Sequence, residues 1–249
     1  MFGVDSHLLI SVFAIFLFAG MVKGVLGFGL PIVTMSLLPF IMPIEKAIVI
    51  SAVVQPATNV FQLISAGGLR KSLKLAWPVL LLLVPGVMAG AWYLSALDGK
   101  TLLLLVGLTI VAYSMFDFLG YKIGIPATLK VPAGMVFGFV AGVFGALTAL
   151  NGWAFIMYLT GLNVSRDTFR STIALLFIVS GFLISSSFWI IGWLDKSAAL
   201  LGALALLGAF PGMSIGNYFG AKISGDFFRK LILVALFGIG IMLSLQGLS

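Results

Sequence analysis

A lysine and three glycines interrupt an otherwise hydrocarbon-compatible stretch at Val22-Lys23-Gly24-Val25-Leu26-Gly27-Phe28-Gly29-Leu30-Pro31. Glycines closed by a proline unwind a helix, and unwound backbone at membrane depth survives only where it is buried or lines a cavity. The chemistry on offer is anion binding. Backbone N–H groups at such a turn lack an intrahelical partner, a half-helix beyond it presents the positive end of its dipole, and a small anion satisfies both. Lys23 adds a full positive charge where an ionisable side chain is costly and usually has a task. Two blander readings stay open: a lysine near the inner face snorkels into water, and glycines four apart serve close helix packing. Gly20 with Gly24, and Gly134 with Gly138 and Gly142, have that spacing.

A second, altered copy follows at Val140-Ala141-Gly142-Val143-Phe144-Gly145-Ala146-Leu147, with Asn151 and Trp153 just beyond it. Polar residues in other apolar runs extend the candidate site. Gln55, Asn59 and Gln62 recur at spacings of three and four and share one helix face, and Pro56 loosens the turn before it. Such an amide stripe either hydrogen-bonds an oxyanion or glues helices together. Arg170 and Ser171, in the corresponding span, are a second basic candidate and its neighbour; the alternative for Arg170 is a helix-end charge paired with Asp167. The candidate binding residues are therefore Lys23, Gly24, Gly27, Phe28, Gly29, Gln55, Asn59, Gln62, Gly142, Gly145, Asn151, Arg170 and Ser171.

The elements that must position these residues are membrane helices. Of 249 residues, 61% are hydrophobic and 8% charged, more apolar surface than a soluble domain hides. The whole chain reads as one all-α, polytopic membrane domain, without a hydrophilic run long enough for a second unit. The net charge of +7 lies in short connections between apolar segments, so it reports topology rather than nucleic-acid binding. No cysteine and a single histidine, His7, leave no disulfide, thiol or His-based metal chemistry to expect. Without a Ser/His/Asp set, a metal cluster or a phosphate loop, an enzyme is not expected and no cofactor is called for. The expected partners are a small anion and the lipid bilayer. The apolar run from Leu8, preceded only by Asp5 and His7 as ionisable residues, reads as a first membrane segment rather than a signal peptide.

The chain also repeats itself. Gly24 and Gly27 recur as Gly142 and Gly145, both 118 residues on, and Pro85-Gly86 with Gly90 recurs as Pro211-Gly212 with Gly216, 126 residues on. The repeats cover about 7–120 and 130–247, joined by a link carrying Lys122 and Lys130. The apolar segments near Ile32–Met42, Val131–Ala141 and Leu150–Leu162 are too short to cross and read as half-helices beside the glycine clusters. Basic residues crowd the loops around 70, 122, 166 and 225, which the positive-inside rule assigns to the cytoplasm; those around 98 and 195 go outside. Residues 130–166 then begin and end on one side, as a hairpin broken at its glycines. If the first half does the same from the opposite face, the halves are inverted, each a broken hairpin plus three transmembrane helices. Only Asp117 among the carboxylates sits well within an apolar run, so no buried carboxylate relay is visible.

The pattern G-x-x-G-x-G-x-P at Gly24, Gly27, Gly29 and Pro31, its weaker copy at Gly142 and Gly145, and P-G-x-x-x-G in each half resemble the TauE/SafE sulfite exporter family over essentially the full length. The resemblance implies movement of sulfur-containing anions such as sulfite, sulfonates and sulfoacetate, or related organic anions, with the first motif in one broken helix and the second in the other. Ala146-Leu147-Thr148-Ala149 stands where the family commonly has more glycine and a proline. The resulting expectation is an alternating-access anion transporter of a cell inner membrane, with an anion channel or a non-transporting membrane subunit as the alternative.

Overall fold

The computed structural model describes residues 6–120, 124–220 and 225–249. Asp5, Lys122 and Lys222, counted above for charge, lie outside them, as does the side chain of Asp226. The described residues form ten α-helices: α1 Ser6–Leu26, α2 Leu30–Leu37, α3 Ile44–Ala66, α4 Leu69–Leu94, α5 Gly99–Leu119, α6 Lys130–Thr148, α7 Gly152–Gly161, α8 Arg166–Ile190, α9 Lys196–Gly220 and α10 Gly225–Leu248. Eight are long and apolar enough to cross a bilayer, and α2 and α7 are not. At 1.5 Å per residue a 21-residue helix such as α1 is about 31 Å long, the thickness of the hydrocarbon core.

Local chemistry sets the helix ends. Asp98 caps α5 by accepting from Thr101 N at 2.9 Å, and the side chain of Thr101, together with this backbone bond, holds its exposed carboxyl below the usual carboxylate range. Ser165 does the same for α8, and Asp195 accepts from Ala198 N at 2.6 Å beside the start of α9. Gly67 and Gly68, both at positive φ, turn α3 into α4.

Glycines then set the packing. Gly20 and Gly24 press on the backbone of Ala209 and Met213, while Gly212 and Gly216 of the same pair press on Leu17 and Met21. Thus α1 and α9 lie parallel with their backbones in contact. The same arrangement joins α6 to α4: Gly138 and Gly142 meet Val79 and Leu83, and Gly86 and Gly90 meet Phe139 and Val143. A Cβ on Gly142 would stand 2.6 Å from Leu83 O, so no larger residue fits without parting the helices. The central layer is α3 against α8, and α5 against α10 closes one flank.

Two sequence expectations change here. α6 runs unbroken through Gly142 and Gly145 to Thr148, so it is a full-length helix and the second break comes later, at residues 149–151. The packing also shifts the register. Leu17, Gly20 and Met21 have as counterparts Phe139, Gly142 and Val143, each 122 residues on, whereas Gly86 and Gly212 keep the spacing of 126. The difference between 118 and 122 is about one helical turn, to which glycines at four-residue spacing are blind.

Ser72, in the first turn of α4 beside Arg70 and Lys71, bonds to Ser171 at the start of α8, and Arg166 and Arg229 line one pocket there. At the other end of α5, Gly99 abuts Glu45 and Lys100 donates to the carbonyl of Ser249.

Candidate functional site between the two helix breaks

The first break is Gly27-Phe28-Gly29, with both glycines left-handed at φ 83° and 102°. The second is Ala149-Leu150-Asn151, where Ala149 adopts φ 58° without being glycine. Gly27 and Ala149 are 122 residues apart, the same offset that relates the packing positions of α1 and α6.

A narrow cavity of about 30 Å³ lies between the breaks. Phe28, Gly29, Pro31 and Ile32 come from the first, Leu150, Gly152, Trp153 and Ile156 from the second, Thr109 and Tyr113 from α5 and Phe177 from α8. Both short helices start at this cavity, and neither has a side-chain cap: Gly29 has no side chain, and Asn151 makes no capping bond. Their first-turn N–H groups have no intrahelical acceptor. The buried indole Nε1 of Trp153 has no hydrogen-bond partner either. Two positive helix ends thus meet in a mostly apolar pocket, one wall of which is a tryptophan with an unpartnered indole N–H, a setting suited to a small anion.

Around the cavity, α3 acts as a strut. Lys23, one turn before the first break and 3% exposed, donates from Nζ to Thr58 Oγ1 at 3.1 Å. Gln55 donates from Nε2 to the carbonyl of Ala149 at 3.1 Å, so one turn of α3 bonds both to the second break and to the lysine one turn before the first. Asn59 Nδ2 returns to Gln55 O at 2.8 Å, and Gln62 Nε2 reaches Arg170 O. Asn151 donates from Nδ2 to Ser180 Oγ at 2.9 Å. The side-chain oxygens of Gln55, Asn59 and Asn151 are buried without partners.

The predicted residues therefore divide. Phe28 and Gly29 line the cavity, and Asn151 stands at its edge beside Gly152. Lys23, Gln55 and Asn59 form the layer behind the breaks. Gln62 and Ser171 tie helices together, Ser171 through Ser72. Gly24 and Gly142 serve the helix pairs, and Gly145 packs on Ile184 and Asn151. Gly27 lies outside the cavity, where a Cβ on it would stand 3.7 Å from Arg170 Nε. Arg170 is not paired with Asp167; its Nε is buried without a partner. Asp117 is in an ion pair with Arg229, which takes its two carboxyl oxygens from Nε and Nη2.

Thr109, Tyr113, Ile156 and Phe177 line the cavity without being candidates by sequence, and Trp153, just beyond the second glycine cluster, is a wall as well. Thr109 and Tyr113, one turn apart in an apolar run, carried the one available hint.

The sequence model of one protein family, Sulfite exporter TauE/SafE, matches residues 12–243. No curated protein and no solved structure matches the chain.

Proposed function

Because the chain belongs to the sulfite exporter TauE/SafE family, we propose that this multi-pass membrane protein moves a small sulfur-containing anion, of the sulfite, sulfonate or sulfoacetate class, or a related organic anion. The observation that carries the proposal is the meeting of two uncapped helix N-termini and the unpartnered Trp153 Nε1 at one cavity. The anion accepts from the first-turn N–H groups of α2 and α7 and from Trp153, while Lys23 raises the positive potential behind the first break. Transport is by alternating access in a bacterial inner membrane, between two inverted halves. The pairing of α1 with α9 and of α6 with α4 supports two halves of the same plan, since each pair takes one helix from each half. The protein is a carrier and not an enzyme.

A thermal-shift screen of the purified protein against sulfite, thiosulfate, sulfoacetate, taurine, sulfate, malonate and lactate tests the ligand. A ligand at 100 times its Kd stabilises by about 2.7 kcal/mol. We expect a sulfur anion to raise Tm and Trp153→Phe to abolish the rise. A shift with a carboxylate alone would overturn the sulfur assignment, and Lys23→Ala leaving binding and flux intact would remove the charge assigned to Lys23. Counterflow in proteoliposomes separates a carrier, which exchanges labelled against unlabelled anion and saturates, from a channel, which shows neither exchange acceleration nor a tight bound state.

A further inference from the structure

Outside Phe28 lies a second space of different chemistry. It is bounded by the end of α5, the end of α7, the start of α8 and the start of α10, and it shares two walls, Phe28 and Ile156, with the cavity between the breaks. Among the described residues its ionisable lining is Asp117 from α5, Arg166 from α8 and Arg229 from α10, with the hydroxyl of Thr160 from α7 and Asn163 beyond it. Two arginines therefore face one aspartate, in a pocket of about 420 Å³ against about 30 Å³ inside.

The arrangement of the three charges is specific. Asp117 holds Arg229 in a two-pronged ion pair, which fixes the guanidinium plane at the wall. Arg166 is exposed and has no hydrogen bond or ion pair among the described residues. Among the described residues of the mouth, the positive charge left over is thus on Arg166. Phe169 borders the same mouth and meets Phe28 edge to face, with centroids 6.4 Å apart. Phe28 in turn sits between two left-handed glycines, so it is borne by backbone outside any helix.

We propose that this mouth is a separate anion-binding site, where Arg166, beside the anchored Arg229, receives an oxyanion on the outer side of Phe28 before it enters the cavity. A guanidinium presents paired N–H donors that match the oxygens of a sulfonate or similar oxyanion. The place of this site on a route rests on the transport proposed above; the binding at the mouth does not.

The absence of cysteine makes the test direct. Thr160→Cys puts a single thiol in the mouth, and its rate of modification is measured in zwitterionic nanodiscs with a sulfonate-bearing and with a trimethylammonium-bearing methanethiosulfonate. The expected result is a preference of about tenfold or more for the anionic reagent, falling with ionic strength as exposed charges are screened over about 8 Å at 0.15 M. Arg166→Ala in the same background is expected to remove most of that preference and Arg166→Lys to keep part of it. Sulfoacetate is expected to slow the anionic reagent saturably, and to do so still when Trp153→Phe is added. Equal rates for the two reagents, or a preference unmoved by Arg166→Ala, would overturn the inference. Added anionic lipid that blocks the thiol while sulfoacetate does not would assign the site to a lipid headgroup and overturn it as well. Failure of the inner site reads differently: the thiol preference then persists while the screen yields no Trp153-dependent shift.

Discussion

The two breaks occupy equivalent packing positions yet are held in different ways. At the second, side chains secure the backbone: Gln55 donates to Ala149 O, Thr148 Oγ1 accepts from Leu150 N at 3.2 Å, and Asn151 bonds to Ser180. At the first, Gly27 N bonds back to Lys23 O and Val33 N to Gly29 O, with no side-chain bond to residues 27–29 among those described. One break is strapped by its neighbours and the other is held by its own backbone. The second is thus suited to be a fixed wall, and the first, carrying Phe28, to be the part that changes shape.

That contrast can be broken from the strapped side. Gln55→Ala leaves a buried carbonyl without a donor and opens a void, and is expected to cost about 3 kcal/mol or more in unfolding measurements in detergent. Next comes the first break itself. Gly29→Ala forces an L side chain to φ 102°, at a cost of about 2 kcal/mol in the same assay. Thr148→Val removes the acceptor of Leu150 N and should cost about 1 kcal/mol, the usual range for side-chain hydrogen bonds inside membrane proteins. The smallest effect sharpens the comparison. Ala149→Gly relieves a left-handed alanine, worth about 1–2 kcal/mol, and loses a buried methyl worth about 0.8 kcal/mol, for a net gain of about 0.2–1.2 kcal/mol. A large loss there would mean that the strap depends on the methyl rather than on the hydrogen bonds.

Much of this could be read in the residues beforehand. The polytopic helical class follows from composition, and the amide face of Gln55, Asn59 and Gln62 follows from spacing; all three side chains are buried on α3. The first break was marked by Gly27, Gly29 and Pro31, residue types that state a backbone requirement. The second break had no such mark, because Ala149 takes a glycine's conformation under tertiary constraint and Asn151 replaces a glycine's freedom with a hydrogen bond. Gly142 and Gly145 drew the reading one turn too early, since glycines for packing and glycines for turning are written with the same letter. The cavity walls from α5 were hidden for a related reason: Thr109 and Tyr113 gain their place from a neighbouring helix, not from their own sequence surroundings.

The glycine contacts between α1 and α9 also bear on how the molecule is made. Met21 meets Gly216 roughly 195 residues further along the chain, whereas Gly86 meets Phe139 after only about 53. At about 5–20 residues per second, the α4–α6 pair can close within seconds of synthesis. The glycine face of α1, and Lys23 at its inner end, stays without its partner for roughly 10–40 s until α9 emerges. Seating the first break therefore comes late in assembly, with only α10 still to dock, and the strapped second break is ready in advance as the surface against which it is laid.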